Sequence, residues 1–138
     1  MKDCCFIGDR GYFSTELESR LIEQHSQFII KGRSNMVSGT IVEAYGDGGA
    51  ALPEHIGMKY RDIKSRTDQC LDVVLKTSTG HLVRVVRKVN PHPDSNRDLQ
   101  ATDMDKADER YVYLRTSIGR ELLNAEQLSQ LYRLRWMV

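Results

Sequence analysis

The stretch that decides the fold is residues 4–31, CCFIGDRGYFSTELESRLIEQHSQFIIK. It opens with a short apolar run, residues 4–8, whose length and closing glycine are typical of a buried strand. Apolar residues at helical spacing follow, and they predict an amphipathic helix over about residues 15–25. Residues 27–31 are apolar again and predict a second buried strand. Strand, helix and strand in this order form a βαβ unit, which normally lays its two strands parallel in one sheet.

The rest of the chain predicts further strands and a final helix. Residues 71–77 and 81–89 are rich in Val and Leu and flank Ser78-Thr79-Gly80, which predicts a β-hairpin. Residues 37–44 and 111–114 are also typical of strands. Asn124 and Gln127 have the spacing of a capping box, so we expect a helix to begin there and to run to the end of the chain. Its expected apolar side carries Leu128, Leu131, Leu134 and Val138.

Composition is that of a globular protein in a reducing compartment. The 138 residues are 40% apolar and 28% charged, which suits one domain with a real core. No apolar run is long enough for a membrane-spanning helix. The three cysteines include an adjacent pair, Cys4 and Cys5, and lack the spacing of a zinc site or a disulfide framework. We therefore expect a cytoplasmic protein without membrane association.

Charge leaves two interpretations open. The net charge of +1 gives no sign of a nucleic-acid partner. Arginines are nevertheless enriched near the C-terminus, at positions 110, 115, 120, 133 and 135, with only two acidic residues among them. That enrichment is compatible with a surface that faces phosphates and equally with a solvated helix face.

One acidic residue stands where α/β proteins place their ligands. Asp9 directly follows the first predicted strand, at its carboxyl end. An Asp in that place is also common as a turn or capping residue. The interpretation therefore depends on its surroundings, Gly8-Asp9-Arg10-Gly11-Tyr12, and on a distant segment, YRLRWMV at residues 132–138.

These two motifs resemble those of DDE transposases of bacterial insertion sequences. The segment around Asp9 resembles the second acidic site of that family, and residues 132–138 resemble the beginning of its Tyr-x2-Arg-x3-Glu-x6-Lys signature. Tyr132 and Arg135 fill the first two places, and the catalytic Glu would fall one residue beyond Val138. Residues 28–33 and 111–116 also look like the strands that flank the family's β-rich insertion.

The resemblance implies an α/β fold, namely a partial RNase H-like fold made of a βαβ unit and a C-terminal helix, with a mostly β insertion. It divides the chain into a core segment over residues 1–36, the insertion over residues 37–110, and a returning strand and last helix over residues 111–138. The family's first catalytic Asp lies on an earlier strand that has no counterpart here. We therefore expect part of a catalytic domain that is inactive on its own.

The resemblance also implies the site residues. Asp9 would be catalytic and would bind Mg²⁺ or Mn²⁺, while Tyr132 and Arg135 would grip the DNA backbone at a transposon end. Lys31 and Arg33 are further candidates for DNA contact. The family uses an aromatic residue of the insertion to stack on a flipped base. The insertion of this chain has no Trp, which leaves that role to Tyr45 or Tyr60.

Two alternatives stay open at this stage. The chain could be a non-catalytic DNA- or protein-binding remnant of a transposase, or a small α/β domain whose motifs match by accident. A central strand over residues 4–8 would also have one edge without a neighbouring strand, and open strand edges favour self-association. We therefore predict a homo-oligomer.

Overall fold

A computed structural model describes residues 5–8, 15–32, 38–62, 70–89 and 111–134. These ranges contain six strands and two α-helices. In chain order they are β1 (Cys5–Gly8), α1 (Thr15–Glu23), β2 (Gln27–Gly32), β3 (Thr40–Tyr45), β4 (Leu71–Lys76), β5 (Leu82–Val89), β6 (Tyr111–Thr116) and α2 (Ala125–Leu134). Asp9, Arg33 and Arg135 lie outside the described residues.

The six strands form one mixed sheet in the order β1-β2-β6-β5-β4-β3. β1 and β2 are parallel, with Gly8 opposite Ile30, and every other neighbouring pair is antiparallel. The predicted βαβ unit and the predicted hairpin of β4 and β5 are thereby confirmed. The α/β class is confirmed as well, and the arrangement is compatible with an RNase H-like fold. Strands β3, β4 and β5, which belong to the predicted insertion, continue the same sheet through β6.

The two helices cover opposite faces of this sheet. Successive strand residues point to opposite faces, so Phe28 and Ile30 of β2 join a core cluster against which Leu21 and Ile22 of α1 pack. Ile29, between them, joins a second cluster with residues of α2. Because both faces are covered, β2 is apolar over consecutive residues rather than at alternate positions.

Helix α2 begins at the predicted capping box. The Gln127 amide donates to the Asn124 side-chain oxygen over 2.8 Å, and the Asn124 amide donates to the Gln127 side-chain oxygen over 2.9 Å. The buried side of the helix differs from the prediction at two described residues, and Val138 lies outside the described range. Leu128 and Tyr132 are buried, whereas Leu134 is 52% exposed. No helix in the described part of the chain is long and apolar enough to span a membrane.

Candidate functional site

The carboxyl ends of β1 and β2 lie at one edge of the sheet, where the sequence predicts the site. Gly8 ends β1 opposite Ile30, and β2 continues for two more residues, Lys31 and Gly32. Asp9 directly follows Gly8 in the chain. The side chain of Lys31 is half-buried. The parallel pairing that directs both strand ends to one edge was predicted from the sequence.

Tyr132 lies in the core of the layer that α2 forms on the sheet. It is 5% exposed, belongs to the cluster of Ile29, Leu114 and Leu128, and has a buried hydroxyl oxygen. Its aromatic ring therefore fastens α2 to the sheet. The contact with a DNA phosphate that the resemblance implies for Tyr132 stays a prediction.

The second cluster connects α2 with β1. Ile7, two residues before Asp9, packs against the same cluster that contains Leu128 and Tyr132. Leu131 packs there too, and Arg135 directly follows the last residue of the helix. The later half of α2 and the end of β1 therefore pack against the same hydrophobic cluster.

A buried ion pair fastens α1 to the sheet on the opposite face. Arg115 on β6 donates from Nε and Nη2 to the two carboxylate oxygens of Glu18, over 2.7 and 2.8 Å. Both residues are at most 4% exposed. Two parallel charge-assisted bonds of this kind are strong and directional. Arg115 is therefore a structural residue and does not belong to a phosphate-facing surface.

A second buried ion pair lies across the hairpin of β4 and β5. Arg84 donates from Nε and Nη2 to the two oxygens of Asp72, each over 2.7 Å. Its remaining nitrogen, Nη1, donates to the carbonyl oxygens of Ile118 and Leu123, each over 2.9 Å. Arg84 thus ties the hairpin to the connection between β6 and α2. Neither buried pair was predicted from the sequence.

The two aromatic candidates for base stacking are engaged within the fold. Tyr60 is 3% exposed, and its burial raises the pKa of the phenol. The guanidinium of Arg120 lies 3.5 Å from the centroid of the Tyr45 ring and covers one side of it. The Tyr45 hydroxyl donates to Glu43 over 2.9 Å, a bond that raises the pKa of the phenol. Tyr60 is a core residue, and Tyr45 is engaged by Arg120.

A large pocket among the described residues is not lined by the predicted site residues. It measures about 630 Å³ and lies beside the ends of β5 and β6, where Arg84 and Arg120 line it. Asp72 holds Arg84 in its bidentate pair and also lies 3.5 Å from Nε of Arg120. Glu43 and Glu121 add negative charge to the lining. This pocket therefore has little net positive charge to offer an anion.

The described residues do not form a metal site by themselves. Within these ranges, no three His, Cys, Asp or Glu side chains lie close enough together to hold an ion. Asp9, the predicted ligand, follows the last described residue of β1. The described side chains therefore cannot hold a divalent ion unless residues outside the described ranges add ligands.

A family model described as the transposase DDE domain matches residues 2–138, nearly the whole chain. No curated protein and no solved structure matches the chain.

Proposed function

Because the chain belongs to the transposase DDE domain family, we propose that it forms part of the catalytic domain of a cut-and-paste DNA transposase of the bacterial insertion-sequence type. The family match over residues 2–138 carries this proposal. The parallel β1 and β2 support it, since both strands end at one edge of the sheet and Asp9 is the next residue of the chain after β1. Its partner would be transposon-end DNA. A homo-oligomer and a cytoplasmic location stay predictions.

We assign each predicted residue a role at that edge. Asp9 would supply a carboxylate to Mg²⁺ or Mn²⁺, ions that prefer oxygen ligands and serve phosphoryl transfer in such enzymes. Arg135 would hold a DNA phosphate, because a guanidinium forms paired hydrogen bonds with phosphate oxygens. Lys31, near the end of β2, and Arg33, which follows β2 in the chain, would add contacts to the DNA backbone. Tyr132 would contact the same phosphate if its hydroxyl becomes accessible on DNA binding.

The proposed binding of a metal ion by Asp9 can be tested without an activity assay. Mn²⁺ added to the isotope-labelled chain is expected to broaden the NMR amide signals of Gly8 and Ile30 more than those of β3, because paramagnetic broadening falls steeply with distance. Asp9→Asn should abolish the selective broadening, since it removes the anionic oxygen ligand. Glu16→Gln, at an exposed acid on α1, should leave it unchanged. Selective broadening that survives Asp9→Asn would refute the assignment.

Catalysis by residues 1–138 alone is expected to be absent. Cleavage with two divalent ions needs carboxylates that hold both ions about 3.5–4 Å apart, and the resemblance maps only Asp9 among the three catalytic acids. Plasmid nicking with Mg²⁺ should therefore not exceed the rate in buffer. Robust Mg²⁺-dependent nicking that disappears in Asp9→Ala would contradict this expectation. DNA binding that depends on salt, together with no selective Mn²⁺ broadening at Gly8, would favour the non-catalytic alternative.

A further inference from the structure

A second pocket lies at the far edge of the sheet. It measures about 420 Å³ and is lined by Lys59, Arg61 and Lys76 together with hydroxyl residues that include Ser38, Thr40 and Ser78. Among the residues that the structure describes, its charged lining is entirely positive, with no Asp or Glu. We call this the basic pocket.

Backbone pairing holds two of the three cationic residues in place. Thr40, the first residue of β3, pairs with Lys76 of β4 on one side and with Lys59 on the other. Residues paired across strands project to the same face of a sheet. Two strand spacings separate Lys59 from Lys76, so their Cα atoms lie about 10 Å apart. Backbone hydrogen bonding at the sheet edge therefore fixes the positions of Lys59 and Lys76 in the pocket.

Within the described ranges, the cations of the basic pocket lack the side-chain partners that the buried arginines have. Arg84 and Arg115 have carboxylate partners, and Arg87 lies 4.4 Å from the ring centroid of Tyr111. By contrast, Lys59, Arg61 and Lys76 are exposed and make no ion pair with any residue in the described ranges. Concentrating like charges without partners costs stability, because they repel one another. A polyanionic ligand would remove that cost.

Backbone phosphates of a DNA duplex match this arrangement. A duplex carries one negative charge per about 1.7 Å of its axis, so a span of about 10 Å presents roughly six phosphate charges. Hydroxyl groups such as those of Ser38, Thr40 and Ser78 are common hydrogen-bond donors to phosphate oxygens. The described residues that line the pocket include no aromatic ring, which disfavours stacking with single-stranded bases.

We propose that the basic pocket binds the phosphate backbone of duplex DNA as a contact separate from the edge of Asp9. This inference rests on the proposed function, which supplies DNA as the partner. Five strand spacings separate β1 from β3, which amounts to about 24 Å. That distance corresponds to about seven base pairs of duplex. A duplex bound at the sheet edge of Asp9 would therefore need at least that length to reach the basic pocket as well.

The test compares a charge-removing variant with a charge-retaining one. Duplex affinity is measured over a series of salt concentrations by fluorescence anisotropy. Lys59→Ala, Arg61→Ala and Lys76→Ala together should weaken binding tenfold or more and should lower the slope of log affinity against log salt by about two to three. The matched control, Lys59→Arg with Arg61→Lys and Lys76→Arg, should stay within about twofold. Arg20→Ala, at an exposed cation on α1, should leave the slope nearly unchanged.

A second measurement uses the unmodified chain, so that it does not depend on the folding of a variant. Duplex DNA should protect Lys59 and Lys76 several-fold from acetylation, whereas Lys88, which pairs with Glu126, should be protected less. Equal modification rates with and without DNA would overturn the inference. So would an unchanged salt slope in the alanine variant, and in that case the proposed function would stand. If the unmodified chain binds no duplex DNA at all, both proposals fail.

Discussion

Replacement of Asp72 by Ala is expected to lower the free energy of unfolding by about 3–5 kcal/mol. Asp72 and Arg84 are each 4% exposed. Among the described residues, Asp72 is the only carboxylate that pairs with Arg84. The substitution leaves the Arg84 guanidinium buried without a counter-charge. Native domains are stable by about 5–15 kcal/mol in total, so the loss should be a large part of the stability. Urea unfolding followed by circular dichroism measures it.

Two further variants separate charge burial from other effects at this position. Glu54→Ala removes an exposed acid and should change the stability by less than about 0.5 kcal/mol. Asp72→Leu combined with Arg84→Met removes both charges, and it should recover much of the loss because an apolar pair avoids the desolvation cost. Recovery should be incomplete, since the carbonyls of Ile118 and Leu123 lose their donor. A loss below about 1 kcal/mol in Asp72→Ala would contradict the assigned role of the pair.

Tyr132→Ala is expected to cost about 3–5 kcal/mol, the usual range for removing a buried aromatic ring. The ring of Tyr132 packs in the cluster that joins α2 to β2 and β6. Its loss would leave a cavity beneath the helix. Tyr132→Phe keeps the ring and should cost no more than about 1.5 kcal/mol, the net value of one hydrogen bond. Leu134→Ala, at a position that is 52% exposed on the same helix, serves as the matched control and should change little.

The same phenylalanine variant tests the predicted phosphate contact of Tyr132. If the hydroxyl holds a DNA phosphate, Tyr132→Phe should weaken duplex binding while the fold stays stable. If Tyr132 only packs, duplex affinity should match that of the unmodified chain. A stability loss in Tyr132→Ala as small as that in Leu134→Ala would contradict the packing role itself.

Acidic pH should weaken one exposed contact of α2. A hydrogen bond from Lys88 holds the pKa of Glu126 below its ordinary value. A carboxyl whose folded pKa is lowered stabilises the protein above its unfolded pKa and loses that effect as the pH falls through the folded pKa. Because Glu126 is 61% exposed, solvent screening keeps the contribution small. The buried contacts of α2 therefore dominate its attachment to the sheet.

Several parts of this structure were predictable because their causes are local. The parallel β1 and β2 follow from two apolar runs separated by an amphipathic helix, and the hairpin of β4 and β5 follows from its turn residues. The capping box of Asn124 and Gln127 needs only a spacing of three. The pairing of Asp72 with Arg84 could also have been predicted from the sequence of the hairpin. In the hairpin register Asp72 is opposite Val86 and Arg84 is opposite Val74, so the two residues are diagonal neighbours on one face.

The sequence by itself determined the α/β class, the βαβ unit and the resemblance that the family match confirmed, because each depends on neighbours in the chain or on short motifs. Only the tertiary structure decided what the polar side chains do. Glu18 and Arg115 are 97 residues apart and meet only because α1 packs across the sheet. Thr40 likewise brings Lys59 and Lys76 together at the sheet edge. Arginine is buried and paired with a carboxylate in one place, whereas Arg61 is exposed and makes no ion pair with any described residue. Long-range packing decides this difference because it sets the local burial and charge.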